Sequence, residues 1–250
     1  MLSQLERIRD DLEGGRIARD EFLRLAAMQP EYLVPGAFLL ARLGNTPENL
    51  ERLTVFARES DAVRAGVPVG QGDDAFLAMR TAELFEECLR LNLGFQIELE
   101  ERPAFVFAVS EIALMQAVLR ALPIERDLAS LTENPDDPAA FERLRDFDSY
   151  QTVLLRESEN MQIALAPGFE EAEFAALFTA PDCAERYLGW LRSDLGDKLA
   201  ELEPIVVRES GAALFARLRG LGLDGLCFNA FGPPPPIAFR AGILGWLGVE

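Results

Sequence analysis

The spacing of apolar residues along this chain switches between a helical and an alternating period, and the switches mark its elements. Leu2, Leu5, Ile8 and Leu12 recur at helical spacing, Gly14-Gly15 interrupts them, and Phe22, Leu23 and Leu25 resume behind Asp20-Glu21. Residues 2–28 therefore predict a helical hairpin or a broken helix. A short β-like run over 32–36 closes on Pro35-Gly36, and Asn45-Thr46-Pro47-Glu48 offers caps and a proline suited to a first helical position. From Leu53 onward strand and helix signals alternate. Residues 53–57 and 75–79 predict strands, with Ser60 capping a short helix after the first. Thr81 is placed to cap a helix over 82–93, whose Leu84, Phe85, Cys88 and Leu91 share one face. Phe95-Gln96-Ile97-Glu98-Leu99 alternates as a half-buried strand does. Another strand follows over 104–109, and Ser110-Glu111 opens a helix through Leu122.

Residues 123–139, with Asn134-Pro135-Asp136-Asp137-Pro138, combine turn formers and acids and predict a linker. A short helix over 141–147 leads into the second half. Strands over 151–156 and 161–166 flank Glu157-Ser158-Glu159-Asn160, which has the length of a hairpin loop. Residues 174–178 predict a further strand, with Thr179 as an N-cap, Asp182 three places on and Pro181 in the first turn.

The two halves align. Residues 55–62 parallel 177–184, and Ala82-Glu83-Leu84-Phe85 matches Ala212-Ala213-Leu214-Phe215 at an offset of 130, which extends to Leu93 with Leu223 and Ile97 with Cys227. Phe107 matches Phe239 after a two-residue insertion. Each half reads as strand, capped helix, strand, longer amphipathic helix, strand and a final apolar segment. Phe56, Phe178, Leu84, Phe85, Leu214 and Phe215 hold matched apolar positions and are the candidate core.

Ala176-Leu177-Phe178-Thr179-Ala180-Pro181-Asp182-Cys183-Ala184, then Leu214-Phe215-Ala216-Arg217-Leu218, then Gly225-Leu226-Cys227-Phe228-Asn229 carry a resemblance. On these residues the second half resembles the SseB-like family, named for enhanced serine sensitivity. Ala180 stands where that family usually has Ser, and Ala230 where it usually has Pro. The resemblance spans residues 150–235 and, on Phe56 and the helix pattern alone, 32–112. It implies an α+β module of regulatory or interacting kind with no agreed reaction. The expected architecture is α+β, with two related SseB-like units in tandem, each a small sheet with helices packed on it. Residues 1–123 would hold the N-terminal helical segment and a divergent unit, 124–138 the linker, and 139–250 the second unit.

Composition then narrows the chemistry. With 49% hydrophobic and 26% charged residues among 250, the chain can build a core and solvate its surface. The formal charge of −18 opposes phosphate backbones and anionic lipid; it either favours a basic protein partner or serves solubility alone. There is no histidine, so Ser/His and Cys/His nucleophile pairs are excluded. Lys198 is the only lysine and sits in the polar stretch 193–198. Cys88, Cys183 and Cys227 lack CxxC spacing and read as buried thiols. The N-terminus lacks a basic region followed by an apolar one, and no long apolar run occurs, so a cytoplasmic location is expected.

Gly220-Leu221-Gly222-Leu223-Asp224-Gly225 fits the GxGxxG spacing, but it follows a helix and leads into a strand, the reverse of a dinucleotide fingerprint. It reads as a left-handed helix end. The paired carboxylates lack calcium-loop spacing, so no metal, cofactor or catalytic residue is expected and the chain reads as non-enzymatic. Gly232-Pro233-Pro234-Pro235-Pro236 fixes a short polyproline stretch at the surface. Phe231, Pro233, Pro234, Pro235, Pro236 and Trp246 are the candidate partner-binding residues, and a rigid connector is the alternative role for the prolines.

Overall fold

The structure is a computed structural model, and it describes residues 4–36, 52–66, 69–70, 75–99, 102–157, 160–169, 172–232 and 234–247. The chain divides into two compact units, Met1–Leu119 and Arg120–Glu250. Together they hold two mixed sheets with helices, an α+β fold.

In the first unit, α1 (Gln4–Glu13) and α2 (Arg19–Ala27) are two helices interrupted where the spacing predicts, and Gly15 takes φ 66 in the break. Strands β1 (Glu31–Pro35), β2 (Arg52–Phe56), β3 (Phe76–Arg80), β4 (Gly94–Leu99) and β5 (Arg102–Phe107) form one sheet in the order β3-β1-β2-β4-β5. Only β2 and β4 run parallel; β1 is antiparallel to both β2 and β3, and β4 to β5. Helix α3 (Glu59–Arg64) follows β2 and α4 (Thr81–Leu91) follows β3. Alternation puts Tyr32, Leu53, Val55, Phe95, Ile97, Phe105 and Phe107 on one buried face. There Phe85 of α4 stacks 5.8 Å from Phe95, and Phe22 of α2 stacks 5.9 Å from Phe107.

Helix α5 (Val109–Glu133) carries the chain across the division between the units. Residues 124–133 of the expected linker are thus helical. Pro123 lies inside α5, but Ile124, Leu128 and Leu131 continue the buried helical period beyond it, and that burial outweighs one lost backbone bond. The chain turns only at 134–137, where Asp137 caps α6 (Pro138–Asp146) by accepting from the N–H of Ala139 at 3.0 Å and of Ala140 at 3.3 Å.

The second unit adds β6 (Tyr150–Glu157), β7 (Asn160–Ile163), β8 (Phe174–Phe178), α7 (Pro181–Leu195), α8 (Lys198–Glu201), β9 (Ile205–Glu209), α9 (Gly211–Arg219), β10 (Gly225–Phe228), β11 (Ile237–Arg240) and α10 (Ile243–Leu247). Its pairing repeats the first unit: β6 is antiparallel to β9 and β8, β8 is parallel to β10, and β10 is antiparallel to β11. The shared order becomes β9-β6-β8-β10-β11, with β7 added beside the distal half of β6. Leu33 pairs with Phe56 and Gln151 with Phe178, which makes Tyr32 and Tyr150 equivalent, both buried. Phe95 pairs with Phe107 and Leu226 with Phe239, which makes Gly94 and Gly225 equivalent. A Cβ on Gly94 would stand 2.7 Å from the Phe107 carbonyl oxygen, and one on Gly225 would fall on the Phe239 carbonyl oxygen and the Phe174 ring. Both strands therefore need glycine at one and the same place.

The pairing corrects one alignment. Ile97 corresponds to Phe228 rather than Cys227, because Asp224 is inserted ahead of Gly225, and a one-residue slip reverses which face each strand residue takes. Phe56, Phe178, Leu84, Phe85, Leu214 and Phe215 are all buried.

Three expected caps are displaced by one or two residues. Arg58, Arg80 and Ala180, not Ser60, Thr81 and Thr179, hold the N-cap positions of α3, α4 and α7, and none supplies a side-chain cap. The Thr81 hydroxyl donates instead to the Gln29 carbonyl. In the glycine motif Gly222 has the left-handed φ of 69, while Gly220 closes α9 in a right-handed conformation. The Asn45-Thr46-Pro47-Glu48 signal lies outside the described residues.

Candidate functional site

In the second unit the two sheet faces are covered by different helices. Val153, Phe174, Ala176, Phe178 and Cys227 meet α7 through Cys183, Tyr187, Leu188 and Leu191. On the opposite face Tyr150 packs edge-on against Phe215 of α9 at 5.4 Å and beside Phe228 at 6.0 Å. Where β8 and β10 end, side by side, a polar knot is sealed from solvent. The Thr179 hydroxyl donates to Glu125 Oε1 at 2.8 Å, the Thr179 N–H to Asn229 Oδ1 at 3.0 Å, and Asn229 Nδ2 to the Thr179 hydroxyl at 3.0 Å. Asn229 adopts φ 54, and both Thr179 and Asn229 are 1% exposed. Ligands of α/β sheets often bind outside the ends of parallel strands, and here Glu125 of α5 meets Thr179 at that end.

The candidate residues from the sequence do not form one surface. Phe231 is half-buried on the α7 side, where its ring stacks 4.9 Å from Trp190. Pro234 is half-buried, Pro235 and Pro236 are exposed, and Pro233 lies outside the described residues. These prolines join β10 to the start of β11. Trp246 lies past the other end of β11, on α10, stacked 5.8 Å from Phe141 of α6 with 12° between the rings. Alternation along β10 puts α7 and the α6–α9–α10 layer on opposite faces, which separates Phe231 from Trp246.

Two grooves open on the α9 side of this unit. The smaller, about 240 Å³, is lined by Leu131, Pro135, Asp136, Phe141, Phe239, Arg240, Gly242, Ile243 and Trp246. Its α10 wall is fixed by Arg219 of α9, whose Nε and Nη2 donate to the Leu244 carbonyl at 3.2 and 3.1 Å. Its α6 wall is fixed by Arg143, whose guanidinium meets both oxygens of Asp127 on α5 at 2.8 and 2.7 Å.

The larger groove, about 470 Å³, is lined by Leu154, Met161, Gln162, Ile163, Leu165, Glu173, Glu209, Arg217, Leu221 and Leu223. It exists because the β6–β7 hairpin is longer than its helical cover. Leu155 pairs with Gln162 and Arg156 with Met161 beyond Leu154, where the pairing of β6 with β9 ends. Met161, Leu165 and Leu221 stand 44%, 40% and 48% exposed there, large apolar side chains gathered in one place. The Tyr187 hydroxyl donates to the Leu165 carbonyl at 2.7 Å and holds that wall to α7. Arg217 reaches Glu209 at 2.6 Å, while the Glu173 carboxylate at the rim has no partner among the described residues. The hairpin was legible in the sequence, but not the groove, since nothing local shows how far a helix covers a strand.

Burial pushes the Cys88 thiol up to about 12, with the Glu87 charge adding to it, and the Cys227 thiol up to about 11. Both stay protonated at neutral pH and supply no thiolate. Among the described residues no three acidic or cysteine side chains gather as a metal site, and no helix is long and apolar enough to cross a membrane. Comparison with family models, with curated proteins and with solved structures found no match to this chain.

Proposed function

We propose that this chain is a non-enzymatic protein-binding or regulatory module that docks a basic partner in the groove beside the β6–β7 hairpin. The observation that carries the reading is the exposed trio Met161, Leu165 and Leu221 in a groove of about 470 Å³ whose rim holds the Glu173 carboxylate, unpaired among the described residues, beside the Arg217–Glu209 pair. Apolar side chains in a concave surface provide affinity, and a methionine adapts to the shape it meets. The charge of −18 speeds encounter with a cationic surface and disfavours nucleic acid.

The same charge favours a second reading, an immunity-type inhibitor of a basic toxin. A histidine-independent enzyme is the weaker alternative, because the thiols with raised pKa leave little nucleophilic chemistry. We further read the two units as diverged copies of one SseB-like module. The repeated strand order, the matched Gly94 and Gly225, and the matched Tyr32 and Tyr150 support this. Three free cysteines suit a reducing, cytoplasmic setting.

Affinity capture from lysate, comparing the unmodified chain with a Met161→Asp/Leu221→Asp double variant at low and raised salt, tests the docking reading. A basic protein held by the unmodified chain, lost from the variant and bound more slowly as salt rises, is the expected result. A partner retained equally by the variant would place docking elsewhere.

A further inference from the structure

The smaller groove carries a chemistry that the docking reading does not use. Asp136 and Arg240 both line it, and neither side chain has a hydrogen-bond or ion-pair partner among the described residues; nor do the two bond to one another. Most other arginines of the second unit are engaged: Arg143 by Asp127, Arg156 by Glu203, Arg217 by Glu209 and Arg219 by the Leu244 carbonyl. An unengaged cation and an unengaged anion thus face one apolar cleft, whose walls include the rings of Phe141, Phe239 and Trp246.

We propose that this groove binds a small aromatic zwitterion, a free amino acid with an aromatic side chain. A guanidinium receives a carboxylate by two parallel hydrogen bonds, so Arg240 takes the ligand carboxylate. Asp136 takes the ammonium group. The ligand ring lies against Trp246, whose indole is 61% exposed and already held parallel to Phe141. Size agrees, since a groove of about 240 Å³ gives room for one such molecule. A peptide terminus would satisfy one of the two charges, whereas a free amino acid satisfies both. The site is separate from the Met161 groove, so either proposal can fail without the other.

Trp190 and Trp246 are the only tryptophans, so a Trp190→Phe chain reports on Trp246 alone by fluorescence. Titration with L-phenylalanine should give a saturable change with a dissociation constant of about 0.1 to 10 mM, the range for roughly a dozen non-hydrogen atoms. Arg240→Gln and Asp136→Asn should each weaken it about tenfold. Phenethylamine, which lacks the carboxylate, should bind the Arg240→Gln chain as well as its parent. 3-Phenylpropionate, which lacks the ammonium, should be indifferent to Asp136→Asn. This pairing of analogue with variant separates direct contact from a structural effect. No saturable response to L-phenylalanine, or equal binding of all three molecules to the parent and both variants, would overturn the proposal.

Discussion

The first and second units share five strands in one order, yet they differ in what lies over one face of each sheet. In the second unit the fifteen residues of α7 cover that face, and the strands beneath it present Phe174, Ala176, Phe178 and Cys227. In the first unit the six residues of α3 follow the equivalent strand, and the matching positions are Arg52, Thr54, Phe56 and Gln96. There Gln96 Nε2 donates to the Thr54 hydroxyl at 3.1 Å and to Glu98 Oε1 at 2.8 Å, a polar row on a half-exposed surface. One strand order thus tolerates apolar or polar residues on this face, and their choice follows the cover. The second unit also inserts β7, and that insertion creates the groove to which docking is assigned.

The largest effect expected from this comparison is at Phe178, which is fully buried beneath α7 beside Tyr187. Phe178→Ala should cost about 3 to 5 kcal/mol in denaturant unfolding. A near-neutral result would mean that α7 does not seal the face. A reciprocal exchange sharpens the point. Ala176→Thr buries a hydroxyl in a filled apolar layer and should cost about 1 to 3 kcal/mol, whereas Thr54→Ala at the matching position should cost less than about 1 kcal/mol. Equal costs would deny that the two faces differ.

The paired tyrosines give a smaller contrast of opposite sign. The Tyr32 hydroxyl donates to the Ala26 carbonyl at 2.9 Å, while the buried Tyr150 hydroxyl has no partner among the described residues. Tyr32→Phe should cost about 1 kcal/mol, and Tyr150→Phe should be neutral or stabilising. Thermal melts of the two variants decide it, and a clear loss in Tyr150→Phe would show that its hydroxyl is bonded.

Alkaline pH gives the mildest test. Cys227 titrates at about 11 in the fold against 9.0 unperturbed, so the folded state holds its proton more tightly than the unfolded chain does. Its contribution is complete below pH 9.0 and is lost as pH rises through about 11. Cys88, pushed up to about 12 from the same 9.0, adds a loss in the same direction. Urea midpoints should fall across this window, and fall less steeply in Cys227→Ala. An identical slope in that variant would show Cys227 to be solvated.

Much of this fold could be read from the chain. The alternation at 95–99 and the paired Leu84-Phe85 and Leu214-Phe215 lead directly to β4 and to the buried faces of α4 and α9. Chain ends and caps were harder, because they depend on distant groups. Thr179 looks like a cap locally, yet Glu125, fifty-four residues away, takes its hydroxyl. Pro123 looks like a helix end, yet tertiary burial carries α5 past it. The candidate site was the least legible: Phe231 and Trp246 are near in sequence but lie on opposite faces of one sheet, and Met161 and Leu221 give no local sign that they share a groove.

The most direct test of the docking account is hydrogen exchange on the unmodified chain with and without the basic protein it captures. Protection concentrated at residues 160–165 and 221–223 is the predicted result. Protection confined to the first unit, with the hairpin exchanging as fast as in the free chain, would contradict it.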